Sequence, residues 1–167
     1  MIKINKILIS CLLPLMHFSF NALNLEEKIE VKKPEIQSTL AIIKPDAVNN
    51  LNSGDIVRLI ELNGFNIKEM KKTTIEKKDA EKFYAVHKER PFFKELVNYM
   101  TSGPIIVMVL EKTNAIASWR ELMGTTNPDT ANMGTIRKMF GQSVQLNAVH
   151  GSDSPQAAQE EIKFFFK

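Results

Sequence analysis

Pro104-Ile105-Ile106-Val107-Met108-Val109-Leu110 is the strongest strand signal in the chain. An unbroken apolar run of this length, rich in β-branched residues, reads as a buried strand. Upstream of it, residues 78–87 and 92–100 read as two helices separated by Arg90-Pro91. Residues 65–75 read as a second strand, in which Phe65, Ile67 and Glu69 alternate loosely with polar neighbours. Before that, Ile56, Val57, Leu59 and Ile60 recur at helical spacing over residues 54–62, and Asn63-Gly64 stops the helix. Thr39-Leu40-Ala41-Ile42-Ile43 is another short buried strand, ending in a turn at Lys44-Pro45-Asp46. Downstream of the strongest strand, residues 115–122 form a helix and residues 125–134 a long polar loop. Residues 145–149 make a last short strand. Ser154-Pro155 opens a final helix that ends in Phe164-Phe165-Phe166, since Ser caps well and Pro suits the first helical position. The order predicts an α+β domain: a ferredoxin-like βαββαβ arrangement, a four-stranded antiparallel sheet with helices packed on one face.

The chain has 167 residues, enough for one domain and a leader. Residues 1–22 differ in composition from the rest. Lys3 and Lys6 precede an apolar run over residues 7–20, and the small Ala22 follows. That is the pattern of a secretory signal peptide, and the run is too short to span a bilayer comfortably. Residues 23–37 are charge-rich, contain Pro34 and show no apolar face, so they read as a linker. The domain runs over residues 38–167. The single cysteine, Cys11, rules out an internal disulfide. A formal charge of only +3 gives no strong pull toward nucleic acid, and no strand interleaves aromatic and basic residues as an RNA-binding sheet would.

Several chemistries are poorly supplied. The domain has only His87 and His150 and no cysteine, so a dedicated zinc site lacks ligands. There is no GxSxG turn for a serine hydrolase, and no GxxxxGK[ST] loop or kinase glycine-rich loop. Phosphate chemistry is better served. Lys44 sits at a strand end; Arg90, Arg120 and Arg137 are spread over the later elements. The planar guanidinium suits phosphate oxygens through paired, charge-assisted hydrogen bonds. His150, between an apolar strand and a helix start, is placed to be a base, a ligand or a nucleophile. Phe92, in Arg90-Pro91-Phe92-Phe93, could stack on a base or fill a core.

Seven blocks in order carry a resemblance: TLAIIKPDAV (residues 39–48), FY (83–84), RPFF (90–93), SGPIIVMVLE (102–111), GTTNP (124–128), GTIR (134–137) and NAVHGSDS (147–154). Together they resemble the nucleoside diphosphate kinases across the whole domain. The resemblance implies a ping-pong transfer of the γ-phosphate of a nucleoside triphosphate such as ATP to a nucleoside diphosphate. It implies His150 as the nucleophile that becomes phosphohistidine, and Glu161 as the acceptor of a hydrogen bond from its second nitrogen. Ser152 would bond near the site, and Tyr84 would lie close to Lys44 and His150. Arg120, Thr126 and Arg137 match the phosphate-binding positions. Lys44 and Asn147 match those that hold the sugar 3′-hydroxyl and help position phosphate. Phe92 would carry the base, with Leu96 and Val144 as apolar walls, and base specificity would be low. Mg2+ would arrive on the nucleotide phosphates rather than in a protein cage. Met133 departs from a Pro that is common there, and Lys138-Met139 from a small residue. These positions touch the loop that shapes subunit contacts in the family, whose bacterial members form homo-oligomers, either tetramers or hexamers. The signal-like leader predicts a periplasmic or secreted protein, whereas most of the family is cytoplasmic. An exported binding protein that keeps the kinase fold without its catalysis is the alternative reading.

Overall fold

The computed structural model describes residues 35–166. The leader and most of the expected linker lie outside the described residues. The sheet contains β1 (Ile36–Ile43), β2 (Asn66–Thr73), β3 (Ile105–Thr113) and β4 (Val149–Gly151). The helices are α1 (Pro45–Asn49), α2 (Ser53–Leu62), α3 (Lys77–Phe83), α4 (Phe93–Met100), α5 (Ala115–Met123), α6 (Ile136–Phe140) and α7 (Pro155–Phe165). Strand order is β2-β3-β1-β4, with every pairing antiparallel. This is the ferredoxin-like arrangement that the element order predicts.

The strongest strand signals sit at the sheet's centre. In β1, residues 39–43 are all buried, as are Ile105 and residues 107–110 in β3. Alternation sends these side chains to opposite faces. Ala41, Ile43, Met108 and Leu110 join one core with Ile56 and Ile60 of α2 and Trp119 and Met123 of α5. Leu40, Ile42, Ile105 and Val107 join a second core with Ala80 of α3 and Val97 and Met100 of α4; Ile162, Phe164 and Phe165 of α7 pack on it. Helices therefore cover both faces, not one. The cause is visible in the strands: a run that is apolar at every position needs cover on each side. Each large aliphatic so buried contributes about 1.5–3 kcal/mol.

The main elements form where expected, with local differences. β1 begins at Ile36, three residues ahead of the expected strand start at Thr39; Ile36 and Gln37 already pair with Thr113 and Lys112. Gln37 Oε1 also accepts the Ile116 N–H at 2.9 Å near the start of α5. The turn expected at Lys44-Pro45-Asp46 is instead the start of α1, with Pro45 in its first turn. The helix expected over residues 78–87 stops at Phe83, and a separate 3-10 turn covers Ala85–His87. The polar loop contains a 3-10 turn, Pro128–Thr130, where the Asn127 side chain accepts the Asp129 N–H at 3.1 Å. As predicted, Ser154 caps α7: its Oγ accepts the Ala157 N–H at 3.2 Å, with Pro155 next in line.

The largest correction concerns the last strand. Residues 145–148 are not a strand; β4 is Val149–Gly151. Gln142 and Ser143 donate to the Leu146 carbonyl, folding that stretch into a turn. Ala148 then takes φ 65°, which no strand tolerates. His150 consequently lies inside β4, opposite Ile42 of β1, rather than beyond a strand end.

Candidate active site

β4 sets the position of His150 by backbone pairing with β1. The Trp119 indole N–H donates to the His150 carbonyl at 3.2 Å, which anchors the residue from the α5 side. Gly151 permits this approach. A Cβ there would sit 2.3 Å from Trp119 Cδ1 and Nε1. The imidazole points to the other face of the sheet, toward α7. Its Nε2 is 3.1 Å from Glu161 Oε2, and the side chain retains 21% exposure. Ser152 Oγ donates to the same Glu161 oxygen at 2.8 Å and accepts the Leu40 N–H at 3.2 Å. The carboxylate is thus fixed by a buried serine that is itself fixed to β1. Two aromatic rings flank the imidazole: Phe83 at 5.4 Å between centroids and Tyr84 at 6.1 Å. Phe83 is backed by Phe164 and Phe165. With Nε2 occupied by Glu161, Nδ1 is the ring nitrogen without a hydrogen-bond partner among the described residues.

Lys44 follows the last residue of β1 and is the N-cap of α1. It is buried, and its Nζ donates to Asn147 Oδ1 at 2.6 Å. Burial lowers its pKa to about 8; the nearby Arg137 charge pushes the same way, and Asp46 opposes it. Asn147 Nδ2 donates to the Val144 carbonyl at 2.6 Å and the Thr126 carbonyl at 3.4 Å. One asparagine therefore ties Lys44 to the polar loop at Thr126 and to the turn after α6 at Val144.

Arg137, on α6, donates to the carbonyls of Gly124 at 2.9 Å and Val149 at 3.1 Å. Burial lowers its pKa to about 10, with the Arg120 charge adding to the shift. Arg120 is exposed on α5, and Thr126 is exposed in the loop. Two polar atoms are buried without a partner among the described residues: Tyr84 Oη and Arg137 Nε. Burial pushes the Tyr84 hydroxyl pKa up, and the Glu161 charge adds to this. It is therefore a proton donor with no acceptor among the described residues. An orphaned hydroxyl on the ring next to the imidazole suits a ligand rich in oxygen acceptors.

Two expected residues stand apart from this network. Phe92 precedes α4, is 43% exposed, and has its ring contact with His87 at 5.6 Å. Leu96 lies a turn further along and donates its N–H to the Phe92 carbonyl. Val144 is 55% exposed and joins the network through its carbonyl. An exposed aromatic ring is what a stacked base requires.

The structure adds residues to which the sequence reading gave no role. Asp46 accepts the Ala148 N–H, Phe83 packs on His150, and Trp119 holds its carbonyl. Asp46 and Phe83 fall inside the family-like blocks, and Trp119 is the only tryptophan. Those were the available signals. Among the described residues, no group of three or more His, Cys, Asp or Glu side chains gathers where a cation could be caged. No helix among them is long and apolar enough to cross a membrane.

The chain is similar to known proteins. The sequence model of the nucleoside diphosphate kinase family matches residues 37–167. The nucleoside diphosphate kinase of a Nitratiruptor species is 59% identical over 131 residues, covering 78% of this chain and 96% of that one. That of Chlamydia abortus is 55% identical over 131 residues, covering 78% and 93%. The solved Aquifex aeolicus nucleoside diphosphate kinase superposes with a TM-score of 0.78 at 42% identity, covering 80% of this chain and 96% of that one. The Halobacterium salinarum enzyme, solved in complex with CDP, gives 0.77 at 38% identity, covering 80% and 89%. The chain belongs to the nucleoside diphosphate kinase family and is a phosphotransferase acting between nucleoside tri- and diphosphates.

Proposed function

We propose that His150 Nδ1 carries the phosphoryl group in a ping-pong cycle. The observation that supports this is the Nε2–Glu161 contact at 3.1 Å, which leaves one ring nitrogen free next to the Tyr84 ring, whose hydroxyl has no partner among the described residues. Nε2 holds the proton and donates it to Glu161, so Nδ1 presents a lone pair. Nδ1 attacks the γ-phosphorus of the triphosphate. The N–P bond forms as the bond to the β,γ-bridging oxygen breaks, and that electron pair leaves with the diphosphate. The positive charge that develops on the ring is shared with the Glu161 carboxylate. A terminal oxygen of a second diphosphate then attacks the phosphorus and returns Nδ1 to its starting state.

The protein's part in phosphoryl transfer is positioning and neutralisation. Arg120, Thr126 and Arg137 hold the phosphates in this reading. Lys44 and Asn147 hold the sugar 3′-hydroxyl and steer the phosphate chain. The Tyr84 hydroxyl, buried and unpartnered among the described residues, donates to an oxygen near His150. The base stacks on Phe92, between Leu96 and Val144. The family uses a divalent cation; Mg2+ is the ion we propose, carried on the nucleotide. The donor set fits that arrangement, with buried Lys44 and half-buried Arg137 as the fixed cations. When bound, the cation supplies neutralisation of the phosphate oxygens.

We further propose a homo-oligomer, a tetramer or a hexamer, and export directed by residues 1–22. N-terminal sequencing of the protein recovered from cells tests the latter: a start near residue 23 is expected, and an intact Met1 contradicts it. The kinase proposal is tested by initial rates over a matrix of ATP and GDP concentrations. Parallel double-reciprocal lines are expected for a covalent intermediate. Lines that intersect would mean both nucleotides bind together, and the phosphohistidine route would fail.

A further inference from the structure

Two residues before His150 the backbone is strained. Ala148 is fully buried and has φ 65°, and the Val149 N–H donates to the Asn147 carbonyl at 2.8 Å. That bond spans a single residue, so Ala148 is the centre of a γ-turn of the rare, strained hand. A strained buried turn persists only where its surroundings hold it. Asn147, on one side of it, holds Lys44. His150 lies just beyond it on the other side. The turn therefore sets the separation between Lys44, Asn147 and the imidazole.

The hold on Ala148 is specific. Its carbonyl accepts the Lys44 N–H at 2.9 Å, and its N–H donates to Asp46 Oδ2 at 3.0 Å. The other carboxylate oxygen, Asp46 Oδ1, accepts the Tyr99 hydroxyl at 2.5 Å. Asp46 lies on α1 and Tyr99 on α4, so one carboxylate ties two helices to the turn. Nothing in the phosphoryl transfer described above uses either residue.

The geometry points to Asp46 and Tyr99 as a positioning pair that holds the strained Ala148 turn, and through it the relative placement of Lys44, Asn147 and His150. The inference rests on the reading that Lys44 and His150 act on the nucleotide. The pair has a second, electrostatic consequence. The groups that face Lys44 are the Asp46 carboxylate from α1, the Arg137 guanidinium from α6 and the Tyr99 ring from α4, 5.9 Å from Nζ. Neutral Asn147 completes the set. Asp46 is the one anion among them, and it favours the charged lysine against burial and Arg137. The Tyr99 hydroxyl draws on that same negative charge. Removing the carboxylate and removing the hydroxyl should therefore push Lys44 in opposite directions.

The test uses the whole chain as wild type, Asp46→Asn and Tyr99→Phe, with lysine side chains isotopically labelled and Lys44 assigned by Lys44→Arg. NMR titration of Lys44 is expected to show a midpoint near pH 8 in wild type, moved down by about one unit in Asp46→Asn and moved up in Tyr99→Phe. Single-turnover formation of phosphoenzyme should slow by about tenfold in Asp46→Asn, because the turn that places His150 loosens. A Lys44 midpoint that is unchanged in Asp46→Asn, or that moves the same way in both variants, overturns the pairing. So does a wild-type phosphorylation rate in both. Failure of the underlying reading looks different: Lys44→Gln would leave the nucleotide KM unchanged, while the titration results stood.

Discussion

Replacing Glu161 separates holding the nucleophile from being the nucleophile. Glu161 Oε2 receives two contacts, His150 Nε2 at 3.1 Å and Ser152 Oγ at 2.8 Å. A hydrogen bond to a charged group is worth about 1.5–3 kcal/mol, and each ~1.36 kcal/mol is tenfold in rate. Glu161→Ala removes both the acceptor and the charge. If the whole His150 contact is felt in the transition state, phosphoenzyme formation slows by roughly ten- to a hundred-and-fifty-fold. Glu161→Gln keeps an oxygen in place and loses only the charge. Neutral hydrogen bonds are about half as strong as charge-assisted ones, so its loss is about three- to twelvefold. Glu161→Ala also orphans the Ser152 hydroxyl, which should lower Tm, while Glu161→Gln leaves Tm near wild type. Rapid-quench mixing with γ-labelled ATP measures the rate, and a parallel nucleotide KM shows that binding persists. His150→Ala should form no phosphoenzyme at all. A Glu161→Ala protein that is folded yet as inactive as His150→Ala, or one that reacts at the wild-type rate, would refute the assigned role.

Three other substitutions have outcomes set by the geometry. Gly151→Ala places a Cβ 2.3 Å from the Trp119 ring and 2.9 Å from Met123 Cε; both side chains are core residues with little room to move. Overpacking of this kind should cost about 1–3 kcal/mol, seen as a lower Tm and a shifted emission from the single tryptophan; an unchanged Tm would contradict the packing. Leu51 holds φ 62° while 87% exposed, so its backbone strain is not offset by burial. Leu51→Asn should stabilise by about 0.5–1 kcal/mol in urea unfolding, and a loss of stability would show that the side chain has a partner. For Lys44, the folded pKa of about 8 lies below the ordinary 10.5. Between those values the unfolded chain keeps a proton that the folded chain has released. Wild-type stability relative to Lys44→Met should therefore rise with pH across about 8 to 10.5 and stay flat below it. Nucleotide affinity of the free enzyme should weaken over the same rise, as the lysine loses its charge. A stability difference that is flat throughout would place Lys44 in contact with water.

The parts of the fold that were legible are those with strong local physics. The apolar runs in β1 and β3 needed no partner to be recognised, and Ser154-Pro155 announced α7 by its capping chemistry. One-turn elements carry no periodicity, so α1 and α6 leave no signal in the sequence. Gln145-Leu146-Asn147-Ala148-Val149 alternates like a strand in sequence, while its conformation is set from outside. Asp46 holds Ala148 from 102 residues away. The site shows the same division. His150, Lys44 and the arginines are reactive types in a recognisable order, and resemblance supplied their roles. Asp46 paired with Tyr99, Phe83 against His150, and Trp119 on the His150 carbonyl arise only when the chain is folded. The unbroken apolar pattern of β1 held the information that both faces are covered. The helices expected on a single face left half of that surface unaccounted for.

The central claim is that His150 is the carrier of the phosphoryl group. The full chain, as wild type and as His150→Ala, is mixed with γ-labelled ATP and Mg2+, the labelled residue is mapped, and GDP is then added. The account predicts acid-labile label on His150 of the wild type alone, passing completely to GTP on the chase. Label on another residue, or GTP formed at the wild-type rate by His150→Ala, would contradict it.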